Sequence, residues 1–203
     1  MRELLLVWIL SVLSMSVGAK TLTPDMTRTI YIRGAIGNNG FSIAQKIEQL
    51  SQSEGTITLI INSPGGAIIP GLQVISAMKV AKARGDKIVC IIPVVAASMA
   101  FQIFINCDER YTLTGTMLLF HPATTGGSNL NQDDLLYAGS RLKAIEEPLI
   151  KDLFKVLKLP KDVFVYHYRH QTLWVAPELK ALCPELFTIV DDIKASGLFT
   201  LGE

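Results

Sequence analysis

Two short apolar runs constrain this chain most. Residues 56–61 (TITLII) and 87–92 (KIVCII) are dominated by β-branched side chains. Runs of that kind form strands buried on both faces, as in a parallel sheet. Parallel neighbours need a crossover of a dozen or more residues, usually a helix. The segment between the runs supplies one. Pro70 can stand in a first helical turn, and Val74, Ala77, Met78 and Ala81 give one apolar stripe before Gly85 closes it.

The same alternation extends outward. Residues 29–33 (TIYIR) predict a short strand, ended by a loop over 34–40. Ile43, Ile47 and Leu50 give a helical spacing that stops at Gly55. Beyond the second run, residues 94–105 read as a buried turn leading into a buried helix, and 111–114 and 117–120 as short strands around Gly115. A long helical stretch over 131–157 opens at Asn131 as a cap and is interrupted at Pro148. Residues 160–170 continue as a second helical piece, Pro177 starts a short helix, and 186–190 (LFTIV) form a last strand. No repeat or linker divides this region. The expectation is one α/β domain over residues 20–203, with a mainly parallel sheet covered on both faces.

Residues 1–19 read differently. Arg2 precedes a nearly unbroken apolar run over 4–13, and Val17-Gly18-Ala19 places small residues where a signal peptidase cuts. The pattern predicts export to the periplasm or medium with cleavage after Ala19. The alternatives are a first core helix or an uncleaved anchor, the only route by which a membrane enters; the run is short of the ~20 apolar residues a span needs. With 19 basic and 18 acidic side chains and no like-charge block, nucleic acid is not an expected partner. Hydrophobic residues at 49% exclude a disordered chain. Three cysteines, Cys90, Cys107 and Cys183, are too few for a disulfide scaffold and lack metal-ligand spacing, so no metal or other cofactor is expected. Export permits a disulfide but leaves at least one thiol unpaired; Cys90, in a strand-like run, reads as a small buried apolar residue.

Three features carry chemistry. The turn Ser63-Pro64-Gly65-Gly66 follows the first apolar run, and glycines there let peptide N–H groups face a cavity. Ser98, in Val95-Ala96-Ala97-Ser98-Met99-Ala100, opens an apolar helix whose first N–H groups lack partners. His121 ends the strand MLLF, and an imidazole beside a serine hydroxyl can take and return its proton. Taken singly, each feature also fits a plain turn, a helix cap or a structural histidine.

In this order, Asn62-Ser63-Pro64-Gly65-Gly66, Ala96-Ala97-Ser98-Met99 and His121-Pro122 resemble the proteolytic subunit of the Clp (caseinolytic) serine proteases. Ser98 and His121 are 23 residues apart, close to the family spacing. Trp174-Val175-Ala176-Pro177-Glu178 and Val190-Asp191 resemble later family segments. The resemblance implies a crotonase-like α/β fold with a long handle-type helix, a homo-oligomer of stacked rings, and hydrolysis of peptide or protein substrates. It implies Ser98 as nucleophile, His121 as base, and the amides of Gly66 and Met99 as oxyanion-hole donors. The family's third member is an acidic residue, and its place falls on His167; no acidic residue stands between Asp162 and Glu178. Histidine can orient the base but adds no negative charge. Glycines common around the family's nucleophile turn are Val94 and Ala100 here, and residues 123–130 are shorter than the family's inter-ring segment. An exported copy meets no cytoplasmic ATPase.

Other functions compete. Lys143, 45 residues after Ser98, could serve a Ser-Lys pair like that of signal-peptide peptidase A, or be a solvated helix lysine beside Glu146 and Glu147. The absent acidic member also fits a catalytically impaired relative kept as an oligomeric scaffold or binding module. An acyl-CoA enzyme of the wider crotonase fold would share paired N–H donors but needs no Ser-His pair.

Overall fold

The β-branched runs become the middle of a parallel sheet. The computed structural model describes residues 20–124 and 132–195. The expected leader over 1–19 and the expected cap Asn131 lie outside the described residues. The chain first lays down β1 (Thr21–Leu22), β2 (Thr29–Arg33), α1 (Asn39–Leu50), β3 (Thr56–Asn62), α2 (Ile68–Ala83) and β4 (Lys87–Ile92). Then come β5 (Val95–Ala97), α3 (Met99–Ile105), β6 (Glu109–Thr112) and β7 (Met117–Leu119). The remainder is α4 (Gln132–Leu157), α5 (Lys161–His170), β8 (Leu173–Val175), α6 (Ala176–Leu182), β9 (Thr188–Ile189) and β10 (Asp192–Ile193).

Five strands in the order β2-β3-β4-β6-β9 form the central sheet, every pair parallel. A smaller sheet, β5-β7-β8, stands beside it, with β5 and β7 parallel and β8 antiparallel. Alternation along each strand sorts side chains to two faces. Ile57, Leu59, Ile61, Ile88, Cys90 and Ile92 join helix residues such as Ile47, Met78 and Phe101 in the main core. Ile60 and Ile91 point the other way, into a second cluster with Val190 and Ile193. That face is closed by the β1-β10 pair rather than by helices, with Leu22, Tyr31 and Tyr111 packed around it. Burial of both faces is therefore met by two kinds of cover.

Two expectations are corrected. Pro148 does not interrupt α4, which runs unbroken to Leu157. Leu149, Leu153 and Leu157 repeat at helical spacing, are all buried, and hold the end of the helix against the core. Gln102 Nε2 also donates to Leu149 O at 3.5 Å. Nor is Cys90 a simple packing residue: it forms a disulfide with Cys107, just beyond α3, across a Cα–Cα distance of 5.9 Å. Asp108 N donates to Ile88 O at 2.9 Å and Ile88 N to Asp108 Oδ2 at 2.8 Å, which holds the chain after α3 beside β4 and brings the two within bonding range. Cys183 stays free and buried.

Candidate active site

The small β5-β7 sheet holds the site together. Ala97 is in register with Leu119, and Ser98 N donates to Leu119 O at 2.9 Å. Ser98 is thereby fixed beside a strand that leads within two residues to His121. On its other side β5 meets the glycine turn: Ser63 N donates to Val95 O at 3.0 Å and Ala97 N to Ser63 O at 3.1 Å. Three segments remote along the chain are thus tied by backbone hydrogen bonds alone.

Ser98 has φ 54° and ψ −122°, and its side chain makes no cap hydrogen bond to α3. A non-glycine residue rarely adopts positive φ, and such a conformation persists only where neighbours enforce it. The same sharp strand-to-helix turn exposes nucleophilic serines on other α/β folds. A cap reading for Ser98 is thereby removed.

The glycines are required by crowding. A Cβ on Gly65, whose φ is +95°, would lie 2.5 Å from Ala97 O and 2.6 Å from Ser98 Cβ. One on Gly66 would lie 2.2 Å from Ile36 O. Ile36 N donates to Gly65 O at 2.7 Å and Ala67 N to Ile36 O at 2.7 Å, so neither bond of this bridge uses the Gly66 N–H. Met99 opens α3, and the carbonyl four residues back, Val95 O, is already taken by Ser63.

Ser98, His121, Gly66 and Met99 line one pocket, together with Glu146 and Tyr168. His121 Nδ1 lies 2.7 Å from Pro122 O. A carbonyl can only accept, so Nδ1 carries a proton, and in the neutral ring the lone pair is then on Nε2. No hydrogen bond joins Ser98 Oγ to this ring among the described residues; resting catalytic pairs often tighten only with substrate.

His167 is not among the residues that line the pocket. Its Nδ1 is 3.0 Å from Thr172 Oγ1, and its ring stands edge-on to Trp174 at 4.5 Å. Burial, then the nearby His170, holds its pKa below the ordinary imidazole value. The reason is helical phase. On α5, Phe164 and Tyr168 stack four residues apart and share the inward face, while position 167 turns about 100° away. Counting along the chain finds the helix but not its face. Lys143 is exposed and also stands outside the lining.

Besides Leu149, α4 sends Glu146 to the pocket, a residue named above only as a neighbour of Lys143. Its Oε1 accepts from Ala123 N at 2.6 Å and from the Tyr168 hydroxyl. Burial first, then that carboxylate, raises the Tyr168 pKa far above the usual phenol range and keeps the hydroxyl a donor. The signal was present: Glu146 stands in the row Leu142, Glu146, Leu149, Leu153 that faces inward, while Lys143 and Glu147 are exposed. A carboxylate inside an apolar stripe needs a partner.

Residues 22–165 match the family model of the Clp protease family, well over half of the chain. The chain belongs to the Clp protease family. Its α/β architecture, with a mainly parallel central sheet, is the crotonase-like fold of Clp proteases. The Clp family is one of serine peptidases that act on proteins and generally assemble as oligomers.

Proposed function

We propose that this Clp family chain is a serine endopeptidase using Ser98 as nucleophile and His121 as general base. It forms a homo-oligomer and acts outside the cytoplasm without an ATPase. In the first half-reaction Ser98 Oγ attacks the scissile carbonyl carbon and passes its proton to His121 Nε2. The N–H groups of Gly66 and Met99 hold the oxyanion. Collapse breaks the C–N bond, and the imidazolium gives its proton to the leaving amine. A water then repeats the sequence on the acyl-enzyme and frees Ser98.

One observation carries this reading: a serine held at positive φ shares a pocket with a histidine whose Nε2 has no hydrogen-bond partner among the described residues. The Cys90–Cys107 disulfide supports the extracytoplasmic setting, because such bonds persist where the surroundings are oxidising. A fluorophosphonate probe tests the chemistry. It is expected to modify Ser98 in the wild type, and Ser98→Ala is expected to lose both the adduct and ~10³-fold or more of peptide hydrolysis. A wild type that takes no adduct in any assembly state would leave only the scaffold reading.

A further inference from the structure

The inward-facing row of α4 gives this site a carboxylate by an unexpected route. His121 Nδ1–H donates to Pro122 O at 2.7 Å. The next atom pair of that same peptide group, Ala123 N–H, donates to Glu146 Oε1 at 2.6 Å. Ring, peptide and carboxylate therefore form one uninterrupted line of hydrogen bonds. From this we propose that Glu146 is a positioning residue that acts on His121 through the 122–123 peptide group, in the place of an acid bonded directly to the ring. The inference rests on His121 being the base for Ser98.

The physics is polarisation. A negative charge at the amide end of a peptide group draws its N–H outward and concentrates electron density on its carbonyl oxygen. That oxygen then accepts more strongly from Nδ1–H, which fixes the tautomer and stabilises the imidazolium formed when Ser98 loses its proton. Glu146 is half-buried, so its charge is less screened than on an open surface. Tyr168 donates to the same oxygen and steers it. Among the described residues of the lining, Glu146 is the only charged side chain, and Tyr168 and His121 are the other titratable groups besides hydroxyls. His167, the expected third member, is occupied with Thr172 and stands outside the lining. Direct bonding between ring and acid, the usual arrangement, is replaced here by one inserted peptide.

A plain clasp role for Glu146 makes a different prediction. Glu146→Gln keeps an oxygen that can accept from Ala123 N–H and removes only the charge. The experiment follows the His121 imidazole by NMR titration, and kcat and KM against pH for a peptide substrate, in the full chain. Loss of the charge is expected to lower the His121 pKa by ~0.5 unit. The acid limb of kcat/KM should move to lower pH by the same amount, and kcat should fall about tenfold with KM little changed. Ala123→Pro removes the relaying N–H while leaving Glu146 in place, and is expected to shift His121 in the same direction. Circular dichroism and the melting temperature identify any variant that has simply unfolded. Folded variants with an unmoved His121 pKa and acid limb would overturn the relay while leaving the peptidase intact. A shifted His121 in a wild type that takes no fluorophosphonate adduct would uphold the coupling and sink the peptidase reading instead.

Discussion

Ser98 shows how a single residue is made reactive by what surrounds it. Its backbone is strained, and the strain is held by Leu119 on one side and by the close approach of Gly65 on the other. Gly65→Ala would place a methyl 2.6 Å from Ser98 Cβ at a φ of +95°. It is expected to cost about 2 kcal/mol or more in stability and to abolish fluorophosphonate labelling, read by thermal melting and by mass of the adduct. Unaltered labelling would show that the turn does not brace the nucleophile. At His167 the expected effect concerns pH. Its folded pKa is depressed, so the unfolded chain takes up the proton first. Stability from this residue is therefore present above the unfolded imidazole pKa and lost as pH falls through the folded one. NMR should find His167 titrating below the ordinary imidazole value, and His167→Gln should flatten the stability change in that window. Ser98, His121, Gly66 and Met99 are named from motif order and family resemblance, and backbone pairing of β5 with β7 and with the glycine turn brings their segments to one pocket. The apolar row of α4 marks Glu146 as an acid in need of a partner, but no spacing rule names that partner, because the bond runs to the main-chain N–H of Ala123.

Elements were legible in proportion to their apolar content. The strands β3 and β4 and the stripe of α2 appear where their side chains place them. The two-residue strands β1 and β10 and the short β8 did not, because their pairing is decided by tertiary neighbours rather than by local pattern. Pro148 misled for the same reason: packing of Leu149 and Leu153 outweighs one lost helical hydrogen bond. The entry to β3 relies on a buried ion pair with a similar tertiary logic. Asp86 Oδ1 accepts from Arg28 at 3.1 Å and from Gly55 N at 3.0 Å, and Arg28 Nε donates to Thr56 O at 3.0 Å. The Asp86 side chain is fully buried, so removing it strands a guanidinium that is itself 17% exposed. Asp86→Ala is expected to destabilise by about 3 kcal/mol, lowering the melting temperature by about 8 °C. Because this pair is no part of the Ser98 pocket, labelling of folded protein should be unchanged; a melting temperature within a degree of wild type would show the pair to be idle.

For the whole molecule, the cysteines join architecture to location. The Cys90–Cys107 bond links β4 to the end of α3, the helix that begins immediately after Ser98, and so closes a 17-residue loop containing the nucleophile. Closing a loop of that size removes about 3 kcal/mol of freedom from the unfolded chain. The third cysteine cannot exchange with this pair while the fold holds, since Cys183 is buried and burial pushes its thiol up to about 11. At neutral pH such a thiol is almost wholly protonated and a poor nucleophile. Protein isolated without reductant is therefore expected to bind no iodoacetamide in the native state and one equivalent after unfolding in denaturant, as counted by mass. Adding a strong reductant before unfolding should raise the count to three and lower the melting temperature by several degrees. Three reactive thiols in unreduced protein would mean that the bond is absent from the mature molecule. The physical support for an oxidising location would go with it, while the pocket built by β5, β7 and the glycine turn would be untouched.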